Sequence, residues 1–123
     1  MGASPATVFS YLTESDKFIA WMGVGAELDP RPGGQYRIDV DGEHVAVGEY
    51  REVDPPHRVL ITWGWQDQDA VPPGSSMVEI TLTPDGQGTI LRLRHTGLPT
   101  DEERDSHRGG WSLYTTKLAG LFA

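Results

Sequence analysis

Cysteine is absent from this chain of 123 residues. That removes disulfides, thiol nucleophiles and thiolate metal sites together. Basic residues are scarce as well: 10 against 18 acidic ones leave a net charge of -8, a field that repels phosphate backbones and anionic lipid surfaces. Nucleic acid and membranes are therefore poor partners. No apolar run reaches membrane-spanning length and no targeting segment is visible, so a soluble, cytoplasmic protein is the default expectation. The glycines at Gly33, Gly34, Gly86 and Gly88 do not make a phosphate loop, and Ser75, Ser76 and Ser112 lack a nucleophile-elbow context. Two acidic clusters, Asp39, Asp41, Glu43 and His44 at a hairpin and Asp101, Glu102, Glu103 and Asp105 at a helix start, have no recognised ligand spacing. Solvated turns and helix-dipole compensation account for both, so neither metal nor cofactor is expected.

What is present reads as one domain over residues 1–123, with no linker or internal repeat. Ser4-Pro5 sets an N-cap with proline at the first helical position, and Val8 and Leu12 give a short apolar stripe ending near Thr13. Ser15 suits the cap of a second short helix carrying Phe18, Ile19 and Trp21, which Gly23 and Gly25 terminate. The period then changes from helical to alternating. Tyr36, Ile38 and Val40 share one parity before the Asp41-Gly42 turn; Val45 to Val53 form a second strand that Asp54-Pro55-Pro56 ends. Val59, Ile61, Trp63 and Trp65 share one face of a third strand, and Val78, Ile80 and Leu82 one face of a fourth. The expected order is helix, helix, five antiparallel strands and a long helix, an α+β arrangement with helices on one sheet face.

The richest stretch runs from Gly88 to Leu118. Thr89, Leu91, Leu93 and His95 form the inward parity of the fifth strand, which Gly97 and Pro99 end. Thr100 and Glu103 supply a capping box, so the last helix starts near Asp101 and runs to about residue 122. Along it His107, Trp111, Tyr114, Leu118 and Leu121 make one stripe. The Gly109-Gly110 pair is anomalous, since each glycine costs on the order of 1 kcal/mol in a helix interior. Close approach to the sheet, or a bend that makes room for a ligand, are the two compensations expected.

Five segments, SPATVFSYLTESDKFIAWMG, RPGGQY, GEYREVDPPHRVLITW, VEITLTPDGQGTILRLRHTGLP and HRGGW, together resemble the activators of heat-shock protein 90 ATPase of the C-terminal-domain type. These lie within the START or polyketide-cyclase-like (SRPBCC, Bet v 1-like) superfamily. The resemblance covers essentially the whole chain. It implies a helix-grip fold, a curved antiparallel sheet wrapped around the C-terminal helix with a largely apolar cavity between them, and no defined reaction. Family members usually carry a full strand before the first helix, whereas only Met1, Gly2 and Ala3 precede Ser4. The His95 strand is then expected to lack a neighbour, which favours a homodimer joined through that edge or the adjoining apolar surface. A start codon assigned too late is the alternative.

Trp21, Tyr36, Trp63, Trp65, Trp111 and Tyr114 are the candidates for an aromatic cavity lining, in competition with plain core packing. His95 and His107 are the one titratable pair that the pattern brings together. They serve either as proton donor and acceptor or as a satisfied hydrogen-bonded link between helix and sheet. His44 and His57 fall at turns and are expected in solvent. Three functions are in view. The leading one is a non-catalytic carrier or sensor for a small apolar or aromatic molecule. The second is a cyclase- or hydrolase-like enzyme using His95 or His107, and the third a co-chaperone or protein-interaction module.

Overall fold

The computed structural model describes residues 1–122. Helix α1 (Pro5–Thr13) begins at Ser4, whose hydroxyl accepts the Thr7 N–H, and buries Val8, Phe9 and Leu12. The short α2 (Ser15–Phe18) follows. Ser15 is its first helical residue rather than its cap; Glu14 holds that position without a side-chain bond.

Six strands, not five, then form an antiparallel meander in chain order: β1 (Gly25–Leu28), β2 (Gln35–Asp39), β3 (Val45–Asp54), β4 (Arg58–Trp63), β5 (Ser76–Asp85) and β6 (Gly88–Thr96). The extra strand is β1, where sequence reasoning saw only the end of α2. At four residues it is too short for alternation to stand out. Gly23 makes the join possible, with φ of +90° and no room for a Cβ, which would lie 2.8 Å from the Asp39 carbonyl.

One sheet face carries the core: Tyr36, Ile38, Ala46, Tyr50, Val59, Ile61, Trp63, Val78, Ile80 and Leu82. A bulge in β3 between Tyr50 and Glu52 breaks the strand's single parity. Trp65 lies just beyond β4 and is tied back by a bridge to Ala46. On the opposite sheet face charges alternate, Arg58 pairing with Glu52 and with Glu79.

Helix α3 (Asp101–Gly120) starts at the Thr100 cap, whose hydroxyl accepts the Glu103 N–H at 3.1 Å. Trp111 and Leu118 are its buried residues; Leu121 lies past the helix end and is exposed, so the stripe stops one step early. The helix meets the sheet through long side chains rather than by backbone approach. Nothing lies within 4 Å of where a Cβ on Gly109 or Gly110 would sit, which rules out close approach as the reason for that pair.

Candidate functional site

The standoff between α3 and the sheet leaves two hollows separated by rings. An open groove of about 780 Å³ runs between the edge strand β6 and α3, bordered by Leu91, Leu93, His95, His107 and Trp111. On the other side of those rings lies a cavity of about 330 Å³. Trp63, Trp65, His107, Trp111 and Tyr114 line it, with Met22, Val40, Asp41, His44, Gln68, Glu103, Ser106 and Gly110. His107 and Trp111 border both hollows.

The partition is a hydrogen-bonded lattice of indoles and imidazoles. The Trp111 indole N–H donates to Nδ1 of His95 at 3.0 Å. With Nδ1 accepting, the proton of neutral His95 sits on Nε2, which donates to the Ser76 hydroxyl at 2.8 Å; that hydroxyl donates onward to the Trp63 carbonyl at 2.8 Å. The second imidazole mirrors the first. Trp65 donates its indole N–H to Nε2 of His107 at 3.0 Å, and the Nδ1–H of His107 donates to the Glu103 carbonyl at 2.8 Å. The two imidazoles stand perpendicular, centroids 5.1 Å apart. Burial, and then repulsion from His107, lower the pKa of His95 to about 4.

Of the eight residues expected at the cavity, the structure brings six together: Trp63, Trp65, His95, His107, Trp111 and Tyr114. His95 borders the groove rather than the smaller cavity. Trp21 and Tyr36 line neither hollow, because both are core. Trp21 packs against Phe18 and donates its N–H to the Tyr11 carbonyl, while the Tyr36 hydroxyl donates to the Thr62 carbonyl at 2.5 Å. Burial pushes the Tyr36 phenol well above its ordinary pKa. Trp63 is itself almost wholly buried, stacked against Tyr36 and tilted on Trp111 at 4.9 Å, and its indole nitrogen has no hydrogen-bond partner among the described residues.

Sequence reasoning missed the cavity mouth. His44 is exposed as expected, yet it borders the cavity, its ring 6.2 Å from Trp65. Asp41 fixes it there: one carboxylate oxygen accepts the N–H groups of Glu43 and His44, and the other lies 2.7 Å from Nδ1 of His44. Those backbone and side-chain bonds hold the Asp41 pKa down at about 2. The one available signal was the Asp41-Gly42 turn, which fixes the loop but not what it faces. Among the described residues no group of three or more His, Cys, Asp or Glu is placed to hold a metal ion.

A curved antiparallel meander holding a terminal helix at a distance, with cavities between, defines a helix-grip α+β protein. The family model described as "Activator of Hsp90 ATPase homolog 1-like protein" matches residues 2–123, and the chain belongs to that family. It is 47% identical to an AHSA1-like protein from Rhizobium etli, with 96% of this chain and 74% of that one covered and a TM-score of 0.75. It shares the fold with an HSP90 activator from Plasmodium falciparum at 18% identity (97% and 88% covered, TM-score 0.79). The Aha1 dimer from Colwellia psychrerythraea shares it at 14% (96% and 87% covered, TM-score 0.82). No curated protein matches the sequence.

Proposed function

We propose that the 330 Å³ cavity binds a small apolar or aromatic molecule, so that the protein acts as a carrier or sensor. The observation that carries this reading is the wall of Trp63, Trp65, Trp111 and Tyr114 rings beside an opening held by Asp41 and His44. Binding is favoured over proton transfer because all four nitrogens of His95 and His107 are already engaged within the protein. A co-chaperone role draws on the family's name and on no side chain of this cavity. Methyl 2-naphthoate is a suitable probe. Saturable quenching of tryptophan fluorescence, lost when Gly110→Leu fills the cavity, is expected; no saturable change up to the probe's solubility would remove the reading. Release of 2-naphthoate that disappears in His107→Ala would establish the enzyme instead.

Self-association is a second proposal, through Leu113 of α3 and Leu121 just past the helix end. Both are exposed, at 59% and 45%. A dimer mass by sedimentation that becomes monomeric in Leu113→Glu is the expected outcome, and a monomer at all concentrations would refute it.

A further inference from the structure

The fixed charges that line the 330 Å³ cavity are of one sign: Asp41 and Glu103 border it, and no lysine or arginine does. The two carboxylates come from different elements, the turn between β2 and β3 and the first turn of α3. Other acids at the start of that helix have basic partners. Asp101 pairs with Arg104, and Asp105 lies 3.8 Å from Arg108. Glu103 has none among the described residues; its carboxylate meets Nδ1 of His107 at 3.6 Å. That imidazole is neutral, because its Nε2 accepts the Trp65 indole N–H. Asp41 is kept ionised by the N–H groups of His44 and Glu43 and has His44 as its ion-pair partner.

The rings beside these carboxylates attract the same kind of group. The faces of indole and phenol rings carry negative charge density and draw a cation placed over them. Trp63 and Trp65 stand 84° apart with centroids at 5.5 Å, and Trp111 is tilted 58° from Trp63, so the lining rings do not share a plane. The Tyr114 ring already draws one cation, the Lys117 ammonium 5.9 Å from its centroid, although Lys117 is not a lining residue. A neutral guest leaves both carboxylates uncompensated, and an anionic one adds to them. An ammonium wrapped in methyl groups meets both demands, since its surface is apolar and its charge faces rings and carboxylates together.

We infer that the guest of this cavity is an organic cation, an apolar or aromatic group bearing a quaternary ammonium centre that lies against Trp65, Trp111 and Tyr114 and beside Asp41 and Glu103. The inference rests on the binding role proposed above for the same cavity. The probe is benzyltrimethylammonium, set against its uncharged carbon isostere 2,2-dimethylpropylbenzene and against methyl 2-naphthoate. At an ionic strength of about 0.02 M the cation should quench tryptophan fluorescence saturably, displace methyl 2-naphthoate and bind about tenfold or more tighter than the isostere. Glu103→Gln retains a residue suited to the capping box, so the helix start survives. It should cut the cation-to-isostere ratio severalfold and leave the affinity for methyl 2-naphthoate unchanged. Tyr114→Leu should cut the ratio too, and that loss should persist at about 0.5 M salt, where the field of the whole chain is screened. An unchanged circular dichroism spectrum checks the folding of both variants. If methyl 2-naphthoate binds while the cation and its isostere bind equally, the charge preference is overturned and the cavity reading stands; if none of the three binds, both fall. Quenching by the cation without displacement of methyl 2-naphthoate would assign it to surface carboxylates and overturn the inference, as would a ratio unchanged in both variants.

Discussion

His95 is the residue whose environment makes the sharpest demand. Its pKa of about 4 in the folded protein lies below the ordinary value near 6.5, so the unfolded chain takes up a proton first as pH falls. Stability is complete above about pH 6.5 and is lost progressively down to about pH 4. The loss is on the order of 2 kcal/mol once solvent in the adjoining groove is allowed for. Chemical denaturation between those limits should show this slope, and His95→Gln should flatten it. Trp111→Phe tests the other end of the same bond. It keeps a ring but leaves Nδ1 of His95 without its donor, so stability should fall by about 1–3 kcal/mol and the His95 pKa, followed by NMR, should rise.

Helix α3 shows both the reach and the limit of sequence patterns. Thr100, Glu103 and the spacing of His107, Trp111 and Leu118 were enough to place its start and its buried stripe, because capping and a 3.6-residue period are local properties. The Gly109-Gly110 pair was visible but not interpretable, since only the structure shows that the helix stands off the sheet. A Cβ at either position meets open space, and Gly110 borders the cavity. Gly109→Ala and Gly110→Ala should therefore each stabilise the protein by about 0.5–1 kcal/mol in thermal unfolding. Gly110→Ala should also weaken the cavity probe, whereas Gly109→Ala should not. Strand β1 went unread for the opposite reason: Ala26 and Leu28 alternate with Glu27 over too short a span, and what makes the segment a strand is its ladder to β2. Trp21 and Tyr36 could not be separated from the lining rings by parity or composition. Their hydrogen-bond partners, the Tyr11 and Thr62 carbonyls, are tertiary facts.

At the scale of the whole molecule, acidity bears on the binding proposed for the cavity. A net charge of -8 acts together with Asp41 and Glu103 at the cavity, so under that proposal a carboxylated guest should be repelled where its neutral ester is not. Methyl 2-naphthoate should accordingly bind more tightly than 2-naphthoate, and the gap should narrow as ionic strength rises from about 0.01 M to about 0.5 M. An undiminished gap at high salt would assign the preference to shape. The rung between Met1 and Thr89 carries a practical corollary for anyone preparing this protein. Residues added ahead of residue 1 would be directed by that rung along the β6 margin, beside the backbone groups of Leu91, Leu93 and His95. Slower hydrogen exchange at those three amides in a tagged protein than in protein freed of its tag by protease would show that the added segment pairs there.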